Sequence, residues 1–188
     1  MTKDTQQLLP IARFLWTLDI VEREGHHLSY SWLSLFGEES PEPDVDWVAS
    51  LESRPEDAVR LEAFVSRFSR MQDTIADKLL PRWLQSIAER TGSQIENLNR
   101  AERLGVLEST EAWLAARKLR NQLVHEYMEE PEAFAKALGA AREFTLMLLE
   151  TYNRLREYAD KRMALAEPLP EPLLLPGSTS PGKSGRIG

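Results

Sequence analysis

The sequence predicts an all-α protein, a four- to five-helix antiparallel bundle, and three observations predict it. Apolar residues recur at three- and four-residue steps over most of the chain, the signature of helices with one buried face. No stretch alternates apolar and polar residues as a half-buried strand does. Helix-starting and helix-stopping residues fall between the periodic stretches, at spacings that suit short connections.

The first element carries Leu8, Ile11, Leu15, Leu18, Val21, Leu28, Trp32 and Leu35, which predicts one long helix ending about Phe36 and loosened at Gly25. Residues 37–46, rich in Glu, Pro and Asp, form an acidic loop, and Trp47 to Leu51 a short helical turn. Pro55 suits the first turn of a second helix, whose stripe is Leu61, Phe64, Phe68, Met71, Ile75, Leu79, Trp83 and Ile87. Pro81 lies inside that stripe. It removes a hydrogen bond and crowds the preceding turn, so a kink or restart is expected there, with the run ending at Thr91-Gly92. Ser93 caps a third, shorter helix closed by Gly105. Ser109 or Thr110 caps a fourth, with Glu111 favourable in its first turn. Pro131 opens a fifth, lined by Phe134, Leu138, Ala141, Phe144, Leu148, Tyr152, Leu155 and Tyr158. The composition changes near residue 166. Residues 1–166 read as one helical domain, and 167–188, rich in Pro, Gly and Ser, as a disordered tail with too little apolar surface to offset its ordering entropy; the alternative within it is Leu173-Leu174-Leu175 as a short docking element.

Charge and composition narrow the function. The chain has 188 residues, with 23 Lys and Arg against 30 Asp and Glu, a net charge of −7. That balance argues against wholesale wrapping of nucleic acid, which requires many phosphate contacts, but leaves room for a small basic site. Cysteine is absent, which excludes disulfides, thiolate zinc sites and a cysteine nucleophile. No run approaches the roughly 18 apolar residues of a membrane span. Met1 to Gln7 show no basic-then-apolar leader pattern, so a cytoplasmic location is expected, with no membrane association.

Several patterns carry no chemistry. Gly177 to Ser184 match the GxxxxGKS phosphate loop letter for letter, yet the preceding segment is proline-rich and no helix can follow within four residues. His26 and His27 are adjacent and diverge by about 100° on a helix, so they cannot chelate one metal together. Glu24 and His27 make a single ExxH step, whereas a di-iron bundle needs two and further carboxylates. No metal or cofactor is expected. Asp73 and Asp77, one turn apart, read as a solvated helix face.

The fourth helix holds the informative cluster. With Arg120 set at 0°, Trp113 falls at about 20°, Ala116 at about 320°, Leu123 at about 300°, Val124 at about 40° and Tyr127 at about 340°. Arg120 is thus centred on the apolar stripe, where a charge is costly unless it is paired or meets a ligand. Asn121 and His125 share the stripe's edge, and Arg117 and Lys118 add positive charge a turn earlier. The bland reading is an Arg paired with a carboxylate of another helix. The sharper one is a phosphate-handling set, in which a guanidinium clamps phosphate oxygens and an imidazole moves a proton near neutral pH.

Arg120-Asn121-Gln122-Leu123-Val124-His125-Glu126-Tyr127 resembles the R-x4-H-x-Y signature of the HEPN superfamily, in particular its HepT-like toxin branch. The stretches Asp73 to Pro81 and Asn97 to Gly105 are also similar to that branch. The resemblance implies a helical domain that forms a homodimer, in which two motifs meet at a cleft and cleave an RNA substrate without metal. Arg120, Asn121 and His125 would be the catalytic residues. It further implies a minimal nucleotidyltransferase antitoxin as partner, with Tyr127 as acceptor of AMP. Some relatives bind nucleotides or partners without cleaving, and the acidic balance suits that alternative: a non-catalytic nucleotide- or nucleotidyltransferase-binding subunit. The acidic loop 37–46 and the tail depart from the short toxins of the branch.

Overall fold

The computed structural model describes residues 9–37, 43–125 and 130–177; the side chains of Val124 and His125 are not among those described. The described residues are helical with no strand, an all-α bundle as the periodicity predicts. The helices are α1 (Pro10–Phe36), α2 (Val45–Ser50), α3 (Pro55–Thr74), α4 (Leu80–Ser86), α5 (Gln94–Arg103), α6 (Thr110–His125) and α7 (Pro131–Arg162). No helix is long and apolar enough to cross a membrane among the described residues.

Helix α1 lies antiparallel to α3 and α4. The register shows in three cross-links: Arg67 to the Ser31 hydroxyl (2.5 Å), Thr74 to Glu24 (3.0 Å) and Arg82 to Thr17 (2.6 Å). Helix α7 closes the bundle against α6, α1 and α2. Phe14, Phe64, Phe68, Met71, Trp83, Trp113, Phe134 and Tyr152 fill the centre, each fully buried. Most residues of the stripes read from the sequence lie on the faces that meet; Ile11 is exposed, and Leu8 lies outside the described residues.

The irregularity expected at Pro81 takes the form of a π-helical turn, Ile75–Leu79, immediately before α4. Pro81 follows as the second residue of α4, and the helix continues through it without a break. The helix does not run on to Thr91-Gly92. It closes at Ala88, which adopts a left-handed conformation (φ 59°). Glu89 N–H donates to the Leu84 carbonyl (2.9 Å) and Ala88 N–H to that of Gln85 (3.2 Å), the paired bonds of a Schellman closure. Helix α5 ends in the same way, at Gly105 (φ 81°), where the sequence places a glycine for it. Its start is a full capping box between Ser93 and Glu96.

Gly25 does not loosen α1, which passes through it unbroken. Its use is steric. The Leu173 side chain rests on it so closely that an added Cβ would lie 2.2 Å from Leu173 Cδ1. This contact belongs to the largest departure from the sequence reading. The disordered tail expected from residue 167 is, as far as Gly177, a strap laid along α1 and α7, and residues 178–188 lie outside the described residues. Leu173 is buried, and its backbone N–H and C=O both bond the Asn153 side-chain amide, at 2.8 Å each. Tyr152 donates to the Glu171 carbonyl (2.9 Å) and Arg156 to that of Pro170 (2.5 Å). A proline-rich segment cannot build its own core, but here it borrows one. Polar side chains of α7 take up its backbone groups, and one leucine fills the gap that a glycine leaves open.

Candidate functional site

Helix α6 carries the site, and local chemistry explains where it starts. The Ser109 hydroxyl accepts from Ala112 N–H (3.1 Å), and Glu102 reaches from α5 to accept from Thr110 N–H (2.8 Å). Two of the unpaired amides at the helix start are satisfied in this way. The Thr110 bond holds the Glu102 carboxyl below the usual carboxylate range. Trp113, Ala116 and Leu123 then point inward and are buried. The buried Gln72 amide of α3 donates to the Trp113 carbonyl (3.2 Å), which sets the register of α6 on α3.

In that register Arg120 meets Asp73 of α3, Nη1 to Oδ1 at 2.5 Å. The Arg120 side chain is 19% exposed and that of Asp73 49%. The charge is therefore held at the rim of the core rather than inside it. A half-open pair of this kind is screened by water and contributes little to stability, so an anion reaching the rim can compete for the guanidinium. Asn121, the next residue, is exposed. Lys118 and Arg117 are exposed as well; Arg117 bonds Gln94 of α5, whose amide in turn donates to Asp77 (2.6 Å). His125 ends α6, five residues after Arg120. Tyr127 lies outside the described residues.

Two features beside Arg120 were not read from the sequence. One is Asp73 as its partner: the four-residue spacing puts Asp73 and Asp77 on one face, but no spacing links position 73 to position 120. The other is an open groove of about 510 Å³ between α3 and the end of α6. Leu61, Val65, Ser66 and Ser69 line its α3 side and Leu123 its α6 side. Only the tertiary register creates either of them.

The remaining candidates stay apart. His26 and His27 are exposed; His26 bonds Glu22 (2.9 Å), and the His27 carbonyl accepts from Arg67. Among the described residues no group of three or more His, Asp or Glu comes together as a metal site. Glu24 behaves differently. Burial raises its carboxyl above the usual range, opposed by the Thr74 hydrogen bond and by Arg70 and Lys78. Its Oε2 is buried without a hydrogen-bond partner among the described residues.

Comparison with family models, with curated proteins and with solved structures gives no match.

Proposed function

We propose that the chain is the toxin of a HepT-type toxin–antitoxin pair, a metal-independent ribonuclease acting in the cytoplasm with its Arg-Asn-x3-His-x-Tyr residues at the cleft of a homodimer. One observation carries the reading: Arg120 sits at the rim of the bundle with its guanidinium partly open, beside exposed Asn121 and on the helix that ends in His125. His125 takes the proton of the ribose 2′-hydroxyl as that oxygen attacks phosphorus, and returns a proton to the leaving 5′-oxygen. Arg120 stabilises the negative charge that develops on the phosphoryl oxygens. Asn121 orients the phosphate or the imidazole. One Arg and one His on one helix are too few to hold and cleave a phosphodiester, which is why two copies of α6 are apposed across a two-fold axis.

Regulation follows from the same residues. A partner nucleotidyltransferase would join the Tyr127 hydroxyl oxygen to the α-phosphorus of ATP, releasing pyrophosphate. The added phosphate and adenosine then exclude RNA from the neighbourhood of Arg120.

The second reading is a non-catalytic nucleotide- or nucleotidyltransferase-binding subunit. The Arg120–Asp73 pair and the net charge of −7 favour it, because both oppose an RNA strand. Cleavage of RNA by purified protein in EDTA separates the two. Arg120→Ala and His125→Ala should each abolish cleavage while leaving helicity unchanged. Equal cleavage by the double variant would remove the enzyme reading.

A further inference from the structure

Several arginines of this acidic chain are neutralised where they stand: Arg23 by Asp19, Arg54 and Arg60 by Asp57, Arg120 by Asp73. Arg13 and Arg82 are not. The antiparallel packing of α1 on α4 brings them to one place. Arg82 Nη1 donates to Thr17 Oγ1 at 2.6 Å, and that hydroxyl donates in turn to the Arg13 carbonyl, one turn earlier, at 2.8 Å. The Arg82 guanidinium also stands 5.5 Å from the centre of the Trp16 ring. Arg13 is half-buried, and its Nε is buried without a hydrogen-bond partner. Among the described residues no carboxylate pairs with either guanidinium.

Two like charges gathered at a partly desolvated place repel each other and lose hydration. Burial and the proximity of Arg13 accordingly lower the Arg82 pKa. Two unpaired guanidiniums with a free buried donor at one place suit an anion supplied from outside. Planar guanidinium forks match phosphate oxygens in particular. The neighbouring aromatic extends the match, because Trp16 is 49% exposed and offers open ring surface for a base to stack on.

We propose that Arg13, Arg82 and Trp16 form a binding site for a nucleoside monophosphate unit, its phosphate between the two guanidiniums and its base against Trp16. The unit is either a free nucleotide or one residue of single-stranded RNA. The site is separate from Arg120, since α6 packs on α3, α5 and α7 whereas these residues belong to α1 and α4. It does not depend on the ribonuclease reading.

Tryptophan fluorescence reads it directly. Trp32, Trp83 and Trp113 are buried and Trp47, on α2, is partly buried, so a base stacked at this site quenches chiefly exposed Trp16, and Trp16→Phe should remove the response. AMP should give a saturable quench, with ribose 5-phosphate (no base) and adenosine (no phosphate) both weaker ligands. A single-stranded RNA hexamer that binds more tightly than AMP assigns the site to a strand; the reverse order assigns it to a free nucleotide. Arg82→Gln and Arg13→Gln should each weaken AMP binding about tenfold, the loss expected for one charge-assisted contact. Arg13→Gln keeps the test decisive should Arg82→Gln fail to fold, because the Arg13 side chain makes no hydrogen bond among the described residues. Arg120→Ala should leave the quench unchanged. The proposal is overturned if neither AMP nor the hexamer quenches saturably up to about 5 mM. It is equally overturned if inorganic phosphate binds as well as AMP, if folded Arg13→Gln binds like the parent, or if Arg120→Ala abolishes the signal.

Discussion

Replacing Leu173 with Ala should release the strap and leave the bundle standing. Leu173 is 3% exposed and presses on the bare backbone of Gly25. Truncating a buried Leu to Ala costs about 2–5 kcal/mol. The strap lies at the surface and can relax into the gap, so the low end, about 2 kcal/mol, applies. That loss falls on the local opening of residues 164–177, not on global unfolding, because α1 and α7 keep their own contacts. The Leu173 amide, bonded to Asn153 Oδ1 at 2.8 Å, reports the opening. Its hydrogen exchange should accelerate by about 30-fold, the factor equivalent to 2 kcal/mol. Exchange mass spectrometry of the 164–177 peptide, with urea unfolding of the same sample, makes both measurements. An unchanged exchange rate would refute the docking argument. A urea midpoint that falls in step with the exchange would show that the strap is part of the cooperative core and refute the claim of local release.

Other expectations test the same reasoning elsewhere. Gly25→Ala improves helix propensity by about 0.5–1 kcal/mol but drives a Cβ into Leu173. It should speed exchange in 164–177 while the urea midpoint holds or rises. Ala88→Gly should stabilise the protein by about 1 kcal/mol, since it removes the left-handed penalty at the end of α4; a lower melting temperature would contradict that. Glu24→Gln tests the buried carboxyl, whose folded-state pKa is raised. A raised acid stabilises the fold below its unfolded pKa and loses that contribution as pH rises through the folded value. The variant should therefore gain stability over the parent as pH increases from 4 towards 7, and a difference in urea midpoint that does not change with pH would dismiss the effect.

The helices themselves were legible because each carries its instructions locally. A 3.6-residue apolar period marks the buried face of α1, α3 and α7, Ser93 and Glu96 mark the start of α5, and Gly105 marks its end. Arg120 at the centre of an apolar stripe was legible for the same reason, as a conflict within one helix. Three features were beyond local reading because they join residues that are distant along the chain. Asp73 meets Arg120 only once α3 and α6 settle into register. Arg13 and Arg82 converge only because α1 and α4 run antiparallel. The proline-rich segment after residue 166 looks unable to order itself, and alone it would be, but Asn153, Tyr152, Arg156 and the gap at Gly25 supply from α7 and α1 the partners it lacks. Propensity and periodicity are properties of neighbours in sequence, whereas a charge pair, an uncompensated charge and a docked strap are properties of neighbours in space.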